Sequence, residues 1–152
     1  MNKFDLNKRT AVITGGAQGF GLNIAKKFLN SGAKVIIWDI DEQQLQIALK
    51  EINSSNLSYN QVDVSNFEQV NNAVLKITNS SNIDILINNA GITGSNATVW
   101  DYDVNEWNKI VQINLLGTFY CCKSIVPNMI KNNYGRIVNV ASVAGKDGNP
   151  NA

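Results

Sequence analysis

The chain contains no histidine, and only two of its 152 residues are cysteine. Without histidine, Ser-His-Asp and Cys-His nucleophilic mechanisms and histidine-based metal sites are excluded within this chain. Cys121 and Cys122 are adjacent in a predicted helix, where neighbouring side chains diverge, and no second pair exists for a disulfide or a metal. We therefore expect both thiols to be reduced residues of the core, and we expect no metal site.

An excess of charge of one sign is also lacking. The 13 basic residues nearly cancel the 12 acidic ones, and no basic run or stripe is present, so nucleic acid is not an expected partner. The first ten residues, MNKFDLNKRT, contain no apolar segment, and apolar runs elsewhere are shorter than a membrane span. We expect a cytoplasmic protein without a membrane segment, with residues 1–152 forming one domain.

Short runs typical of β-strands alternate with helical patterns along the chain. Five strands are predicted, at Thr10–Thr14, Lys34–Trp38, Leu57–Val62, Ile83–Ile87 and Gly135–Ala141. Apart from the more polar third run, the first four are apolar throughout, which is typical of parallel strands covered by helices on both faces. The predicted fold class is therefore α/β, with a doubly wound parallel sheet.

Two predicted helix starts carry the capping-box pattern, in which a short polar side chain is followed three residues later by glutamate. Ser65 with Glu68 is one such pair, and Asp103 with Glu106 is the other. The second pair begins a long amphipathic helix from Val104 to about Asn132. These signals agree with the alternation of strands and helices.

A glycine-rich loop, TGGAQGFG, follows the first strand and leads into a helix predicted at Leu22–Asn30. Glycines let the backbone turn tightly and approach a pyrophosphate, whose charge is met by free N–H groups and the helix dipole. The candidate cofactor-binding residues of the loop are Gly15, Gln18, Gly19, Phe20 and Gly21. The alternative is a glycine-rich turn that binds nothing.

Asp39 ends the second strand, where a carboxylate can accept hydrogen bonds from the adenosine ribose hydroxyls and repel a 2′-phosphate. Gln18 and Ile40 stand where an NADP site would usually have arginine or lysine. We therefore predict NAD as the cofactor. The alternative is that Asp39 only caps the next helix, but Asp41 is better placed to do so.

Two further motifs follow the third and fourth strands: Asp63-Val64 and Asn88-Asn89-Ala90-Gly91. Together with the TGxxxGxG loop, they make residues 8–152 resemble the short-chain dehydrogenases/reductases. The resemblance implies a Rossmann-like sheet, truncated here after the fifth strand. It also implies that Asp63 and Val64 meet the adenine, and that Asn89, Ala90 and Gly91 run beside the cofactor's ribose. An ordinary Asn-Gly turn is the alternative for the last motif.

The resemblance also implies two catalytic positions. Asn114 matches an asparagine that holds a water in a proton relay, and Ser142 matches a serine that hydrogen-bonds the substrate oxygen. The alternatives are a polar residue satisfied by neighbouring backbone and a turn-forming serine. The family's Tyr-x-x-x-Lys motif, its acid/base, is expected just beyond Ala152. Tyr134 precedes the fifth strand, at the opposite edge of the sheet, and is not expected to replace it.

The family resemblance implies an NAD-dependent oxidoreductase that transfers hydride between the nicotinamide and a secondary alcohol or ketone. The segment VAGKDGNPNA is similar to that of bacterial sugar-acid dehydrogenases, which favours a small polar hydroxy or keto substrate. Ser95, Asn96, Lys146 and Asn149 are candidate substrate contacts, although a solvated loop explains them equally well. The alternatives are a 3-oxoacyl-carrier-protein reductase and a non-catalytic nucleotide-binding fragment.

In this family the long helix commonly packs against its copy in another subunit, so a homo-oligomer is expected of the full-length protein. The alternative is that its apolar residues only cover the sheet. Pro127 is expected to kink the helix. The fifth strand, with Ile137, Val138 and Val140, is expected to leave an apolar edge, and the fragment alone is expected to be poorly stable.

Overall fold

The computed structural model describes residues 4–147, which form a five-stranded parallel sheet in the order β3-β2-β1-β4-β5. The strands are β1 Thr10–Thr14, β2 Lys34–Asp39, β3 Leu57–Gln61, β4 Ile85–Asn88 and β5 Arg136–Asn139. The helices are α1 Gly19–Asn30, α2 Glu42–Ile52, α3 Phe67–Thr78, α4 Val104–Ile110 and α5 Thr118–Lys131. The order in which strands are added reverses between β1 and β4, since β2 and β3 lie on one side of β1 and β4 and β5 on the other, as in a doubly wound fold. The predicted fold class is confirmed.

Helices cover both faces of the sheet. On one face, Ile13 and Ile37 pack with Leu45 of α2 in one buried cluster. On the other face, Val12 and Leu86 belong to a second buried cluster with side chains of α3 and α5. Successive residues of β1 therefore point into different apolar layers, which explains why its sequence is apolar throughout rather than alternating.

Element ends differ from the prediction by one to three residues. The first helix begins at Gly19 rather than Leu22, because the glycines of the loop already form its first turn. The fourth strand begins at Ile85 rather than Ile83, since the N–H of Ile83 donates to the side chain of Asn128 at 2.9 Å. The third and fifth strands end earlier than predicted, and the second extends to include Asp39.

The predicted capping box at Ser65 is wrong. The cap of α3 is Asn66, whose side chain accepts the N–H of Gln69, while Ser65 turns back to bond Asp63. At α4, Asp103 does cap the helix and accepts the N–H of Glu106 at 2.8 Å. The Glu106 carboxylate accepts hydrogen bonds from Ser95 and not from the backbone of Asp103, so only half of this capping box is formed.

The long helix runs from Val104 to Lys131, with π-helical hydrogen bonding over Val111–Gly117 between α4 and α5. Pro127 lies inside α5, and the departure from α-helical geometry comes well before it. Within residues 4–147 this is the one helix long and apolar enough to cross a membrane, by length and composition only. That departs from the expectation that every apolar run is too short. Its buried side chains pack on α3 and the sheet, which is typical of a helix of this fold.

The fifth strand is the outer strand of the described sheet, paired with β4 alone. Ile137, Val138 and Val140 are 40%, 51% and 47% exposed. The predicted apolar edge is therefore present. The poor stability expected of the fragment stays a prediction.

Candidate functional site

The glycine loop between β1 and α1 lies at the carboxyl edge of the sheet, where parallel sheets bind ligands. Gly15 and Gly19 have φ of +60° and +56°, which side chains other than glycine rarely adopt. A methyl group added to Gly21 would overlap the carbonyl oxygen of Gly15. The loop therefore folds tightly onto the first turn of α1, and glycine is required at these positions by geometry.

The first turn of α1 differs from those of the next three helices. Asp41, Asn66 and Asp103 each cap a helix with their side chains, whereas Gln18 at the start of α1 makes no such bond within residues 4–147. The first turn of α1 also contains no acidic residue, and Phe20 within it is exposed. Its N–H groups and the positive end of the helix dipole are thus directed at a surface open to an anion.

Asp39 lies beside this loop at the end of β2. Its Oδ2 accepts the N–H of Ala17 at 3.2 Å, and its Oδ1 accepts the N–H of Asp41 at 3.3 Å. The cap of α2 is formed by Asp41, which accepts the N–H groups of Gln43 and Gln44 at 2.9 and 3.1 Å. Asp39 therefore does not act as the helix cap, and its half-buried carboxylate is held against the glycine loop.

Thr14 joins the glycine loop to the segment after β4. Its hydroxyl oxygen accepts the N–H groups of Asn89 and Ala90, both at 3.0 Å, and donates to the carbonyl of Ile87 at 3.4 Å. The side-chain amide of Asn89 donates to the carbonyls of Thr14 and Gly15, again at 3.0 Å. These bonds fix the two loops as one unit. The sequence marks Thr14 only as part of the glycine-rich motif and does not reveal this role.

Asn88 provides a second link, which the sequence does not reveal because its partner lies on another strand. Its amide nitrogen donates to the Oδ1 of Asn139 at 2.8 Å and lies 3.4 Å from the sulfur of Cys122. The bond connects the carboxyl ends of β4 and β5. The Oδ1 of Asn88 is buried without a partner among the described residues.

Asp63 and Val64 lie beyond β3 at the same edge. The Oδ1 of Asp63 accepts the N–H and the hydroxyl of Ser65 at 2.9 and 2.6 Å, while its other carboxylate oxygen makes no bond within residues 4–147. Val64 is buried against Gly117 of the π-helical segment, where an added methyl would come within 2.9 Å of the valine side chain. The side chain of Val64 therefore belongs to the core, so only its backbone is placed to meet a ligand.

Asn114, in the π-helical segment, is bonded to the loop after β4 through both polar atoms of its side chain. Its Oδ1 accepts the N–H of Ile92 and its Nδ2 donates to the carbonyl of Ile92, both at 2.9 Å. Its own carbonyl accepts the hydroxyl of Thr118 at 3.0 Å. A methyl on Gly91 would lie 3.3 Å from the Asn114 side chain, so this position is also closely packed. The Asn114 side chain is therefore bonded to neighbouring backbone, which was the alternative to a role in a proton relay.

Ser142 follows β5 and is exposed. Its Oγ accepts the N–H of Ala144 at 3.2 Å and caps a short 3₁₀ turn over Val143–Gly145. Lys146, on the same segment, is also exposed. The predicted substrate contact at Asn149 lies outside the described residues. The structure thus places Ser142 at the carboxyl edge and also gives it the role of a turn former.

The opposite edge of the sheet holds Tyr134. The guanidinium carbons of Arg9 and Arg136 lie 3.5 and 4.8 Å from the centroid of its ring, and Arg9 also pairs with the carboxylate of Asp84 at 3.1 Å. This edge contains the amino ends of the strands, so Tyr134 is far from the glycine loop, as predicted. A cavity of about 540 Å³ also opens at this edge, beside β3 and the end of α3. We place the candidate site at the carboxyl edge, because the glycine loop and Asp39 converge there.

The two cysteines differ in their surroundings. Burial, with a smaller contribution from Cys122, raises the pKa of Cys121 from 9.0 to about 12. Both thiols are free, and Cys122 is half-buried. No cluster of three His, Cys, Asp or Glu side chains suited to a metal occurs in the part of the chain that the structure describes.

The family model described as short chain dehydrogenase matches residues 9–152. The chain belongs to the short-chain dehydrogenase family. A curated relative from Sphingomonas sp. (strain SKA58), a 2-dehydro-3-deoxy-L-rhamnonate dehydrogenase (NAD(+)), is 42% identical over 95% of this chain and 57% of its own length. The 3-oxoacyl-acyl-carrier-protein reductase of Chlamydia pneumoniae is 38% identical over 92% of this chain and 57% of its own length.

Solved structures of this family superpose closely. The crystal structure of gox2181 has a TM-score of 0.91 at 35% identity and matches 95% of this chain. An NAD+-bound xylitol dehydrogenase has a TM-score of 0.90 at 32% identity and matches 97% of this chain. The short-chain dehydrogenase chain described here spans 58% of the length of each of these two proteins.

Proposed function

We propose that this chain is the nucleotide-binding part of an NAD-dependent oxidoreductase, which transfers hydride between the nicotinamide and a secondary alcohol or ketone. The observation that carries the proposal is the position of Asp39. Its carboxylate is held at 3.2 Å from the N–H of Ala17, beside a helix start that no side chain within residues 4–147 caps. NAD offers both matching groups, an anionic pyrophosphate for the helix start and ribose hydroxyls for the carboxylate.

The residues present fit that cofactor. Gly15 and Gly21 leave a cradle that side chains would fill, and the N–H groups of Gly19 and Phe20 begin the helix that would meet the pyrophosphate. We assign the adenine side to Asp63 and the backbone of Val64, and the ribose side to Asn89, Ala90 and Gly91. The negative charge of Asp39 favours NAD over NADP. When bound, NAD supplies the hydride acceptor.

Two residues of the chain are proposed to act on the substrate side. Ser142 uses one lone pair of its hydroxyl to accept the N–H of Ala144, so its proton stays available for donation to a substrate oxygen. The side chain of Asn114 is held against Ile92 through both of its polar atoms, and its carbonyl accepts the hydroxyl of Thr118. We assign the relay water to this carbonyl. The acid/base is assigned to the family's Tyr-x-x-x-Lys motif.

For the substrate we propose a small polar hydroxy or keto compound such as a sugar acid. The identity of 42% to a relative named as a dehydrogenase of a deoxy sugar acid supports this class. The relatives from Chlamydia make a 3-oxoacyl-carrier-protein reductase the second candidate. Such reductases usually prefer NADPH, so Asp39 argues against that candidate.

We also propose a cytoplasmic homo-oligomer that pairs through the long helix. Several large apolar side chains on this helix are exposed in the isolated chain. They are Val104, Trp107, Leu115, Phe119 and Ile130. Pairing of two copies would remove this surface from water.

The experiment that tests the proposed activity has two steps. The coding DNA is first sequenced past the codon for Ala152, where an in-frame Tyr-x-x-x-Lys is expected within the next several codons. The full-length protein is then assayed for NADH formation from NAD+ with a panel of sugar acids and polyols. A stop codon directly after Ala152 would refute the enzyme and leave the non-catalytic nucleotide-binding fragment.

A further inference from the structure

The loop between β4 and α4, residues Ile92–Tyr102, is bound to the long helix at two points. At its start, Asn114 holds the backbone of Ile92 as described above. Further along, the Oε1 of Glu106 accepts both the N–H and the hydroxyl of Ser95, at 3.1 and 3.0 Å. The loop directly follows Gly91, so it forms one wall of the carboxyl edge of the sheet. Two side chains of one helix therefore determine the path of this wall.

Packing between these two points leaves the loop little freedom. The hydroxyl of Tyr102 lies where a side chain at Gly94 would have to go, so a larger residue there would displace the Tyr102 ring. The ring of Tyr102 meets the ring of Trp107 edge-on, with centroids 5.7 Å apart. Desolvation and the nearby Glu106 carboxylate raise the pKa of Tyr102. At the tip, Thr98 and Asp101 close a turn through a 2.6 Å side-chain bond.

The bond to Glu106 also determines what Ser95 can offer to a ligand. A serine hydroxyl has one proton and two lone pairs, and the carboxylate of Glu106 can only accept. The proton of Ser95 is therefore used within the protein, and its free lone pair is an acceptor. An acceptor oxygen at Ser95 favours a ligand hydroxyl, which can donate a proton to it. It disfavours a ligand carboxylate, because two acceptor oxygens repel each other.

We propose that Glu106 is a positioning residue, which holds the Ile92–Tyr102 loop on the long helix and orients Ser95 as an acceptor for a substrate hydroxyl. The inference rests on the proposed function, because it takes the carboxyl edge to be the substrate side. It deepens that function, since it predicts a hydroxylated substrate with a hydroxyl against Ser95. Glu106 acts through Ser95 and touches neither cofactor nor substrate.

The test compares Glu106→Ala with Glu68→Ala in the full-length protein. Both glutamates lie in the first turn of a helix, but the Glu68 side chain makes no bond within residues 4–147, so the control removes the same favourable charge at a helix start. Amide hydrogen exchange of residues 92–102 is measured without ligand. Loss of a charge-assisted bond is expected to speed exchange by about tenfold in Glu106→Ala and not in the control.

Kinetics with xylitol as the polyol probe provide the second measurement. Glu106→Ala is expected to raise KM about fivefold or more while NAD+ affinity and kcat change less than about twofold. Glu106→Gln should recover much of the effect, because its amide oxygen can still accept the N–H of Ser95. Unchanged exchange overturns the proposal, and so does faster exchange with an unchanged KM. Failure of the unaltered protein to bind NAD+ counts instead against the proposed function, since exchange is measured without ligand.

Discussion

Asn89 donates two hydrogen bonds to Thr14: its backbone N–H to the hydroxyl oxygen and its side-chain amide to the carbonyl, each at 3.0 Å. The two residues lie 75 positions apart in the chain. Because β1 lies beside β4, their carboxyl ends meet, and the loop proposed to bind pyrophosphate is held by the segment proposed to line the ribose. Stability of the fold and formation of the candidate site are therefore coupled at this point.

Replacement of Thr14 by valine should destabilise the protein and weaken NAD+ binding together. The substitution keeps the shape but leaves the half-buried N–H groups of Asn89 and Ala90 without their acceptor, and an unsatisfied group costs about 1–3 kcal/mol when it is fully buried. Urea unfolding and NAD+ titration measure the two effects. Thr14→Ser keeps the hydroxyl and is the control; a valine variant as stable as the serine variant would contradict this account.

Replacement of Asp39 by asparagine should reduce the preference for NAD+ over NADP+. The amide can still accept the N–H of Ala17, but it lacks the charge that strengthens bonds from ribose hydroxyls and repels a 2′-phosphate. We expect NAD+ affinity to fall about tenfold, in line with about 1.5–3 kcal/mol for a bond to a charged group. Asp41→Asn is the matched control, since asparagine also caps helices well. An unchanged ratio of the two affinities would remove Asp39 from the cofactor site.

Alanine at Gly21 should be far more damaging than alanine at Gly145. The added methyl at Gly21 overlaps the carbonyl oxygen of Gly15, whereas at Gly145 it meets no atom within 4 Å. Overpacking of this kind costs about 1–3 kcal/mol, and the loop must also move away from the helix start. Thermal unfolding and NAD+ binding of both variants are the measurements. Equal behaviour of the two variants would show that the loop is not packed as described.

Cys121 should resist alkylation in the folded protein. Its pKa is raised by burial to about 12, so at neutral pH it is present as the thiol, and the thiolate is the reactive form. In a Cys122→Ala variant, mass spectrometry should find little modification by iodoacetamide at neutral pH until urea unfolds the chain. Rapid alkylation of the folded variant would contradict the burial of Cys121.

The same shift predicts a pH dependence of stability. The pKa of Cys121 is higher in the folded state than its ordinary value of 9.0, so its contribution to stability is fully present below pH 9.0 and is lost as the pH rises towards about 12. Unfolding free energy should therefore fall more steeply above about pH 9 in the unaltered protein than in Cys121→Ala, relative to each protein at neutral pH. If the unfolding free energies of the two proteins fell equally above pH 9, the raised pKa of Cys121 would be contradicted.

Patterns within short stretches of the sequence determined the strands, the order of strands and helices, and the motif that carries the family. Runs such as AVIT are apolar because both faces of a parallel strand are covered by helices. Each residue of the run is therefore buried whichever face it points to, and the pattern can be recognised from the run alone. The glycines of the loop and the position of Asp39 at a strand end are also local features. These were the parts that could be predicted without a structure.

Contacts between distant elements were decided only by the tertiary structure. The sequence favours Ser65 as the helix cap because Glu68 follows three residues later, and the actual choice of Asn66 follows from the way Asp63 binds Ser65. Likewise, Glu106 was assigned to its own helix start, but the folded loop brings Ser95 to it. Sheet order brings Asn88 to Asn139 and Thr14 to Asn89. Such pairs depend on which strands are neighbours in the sheet. Because the partners are far apart in the chain, no periodic pattern in the sequence predicts them.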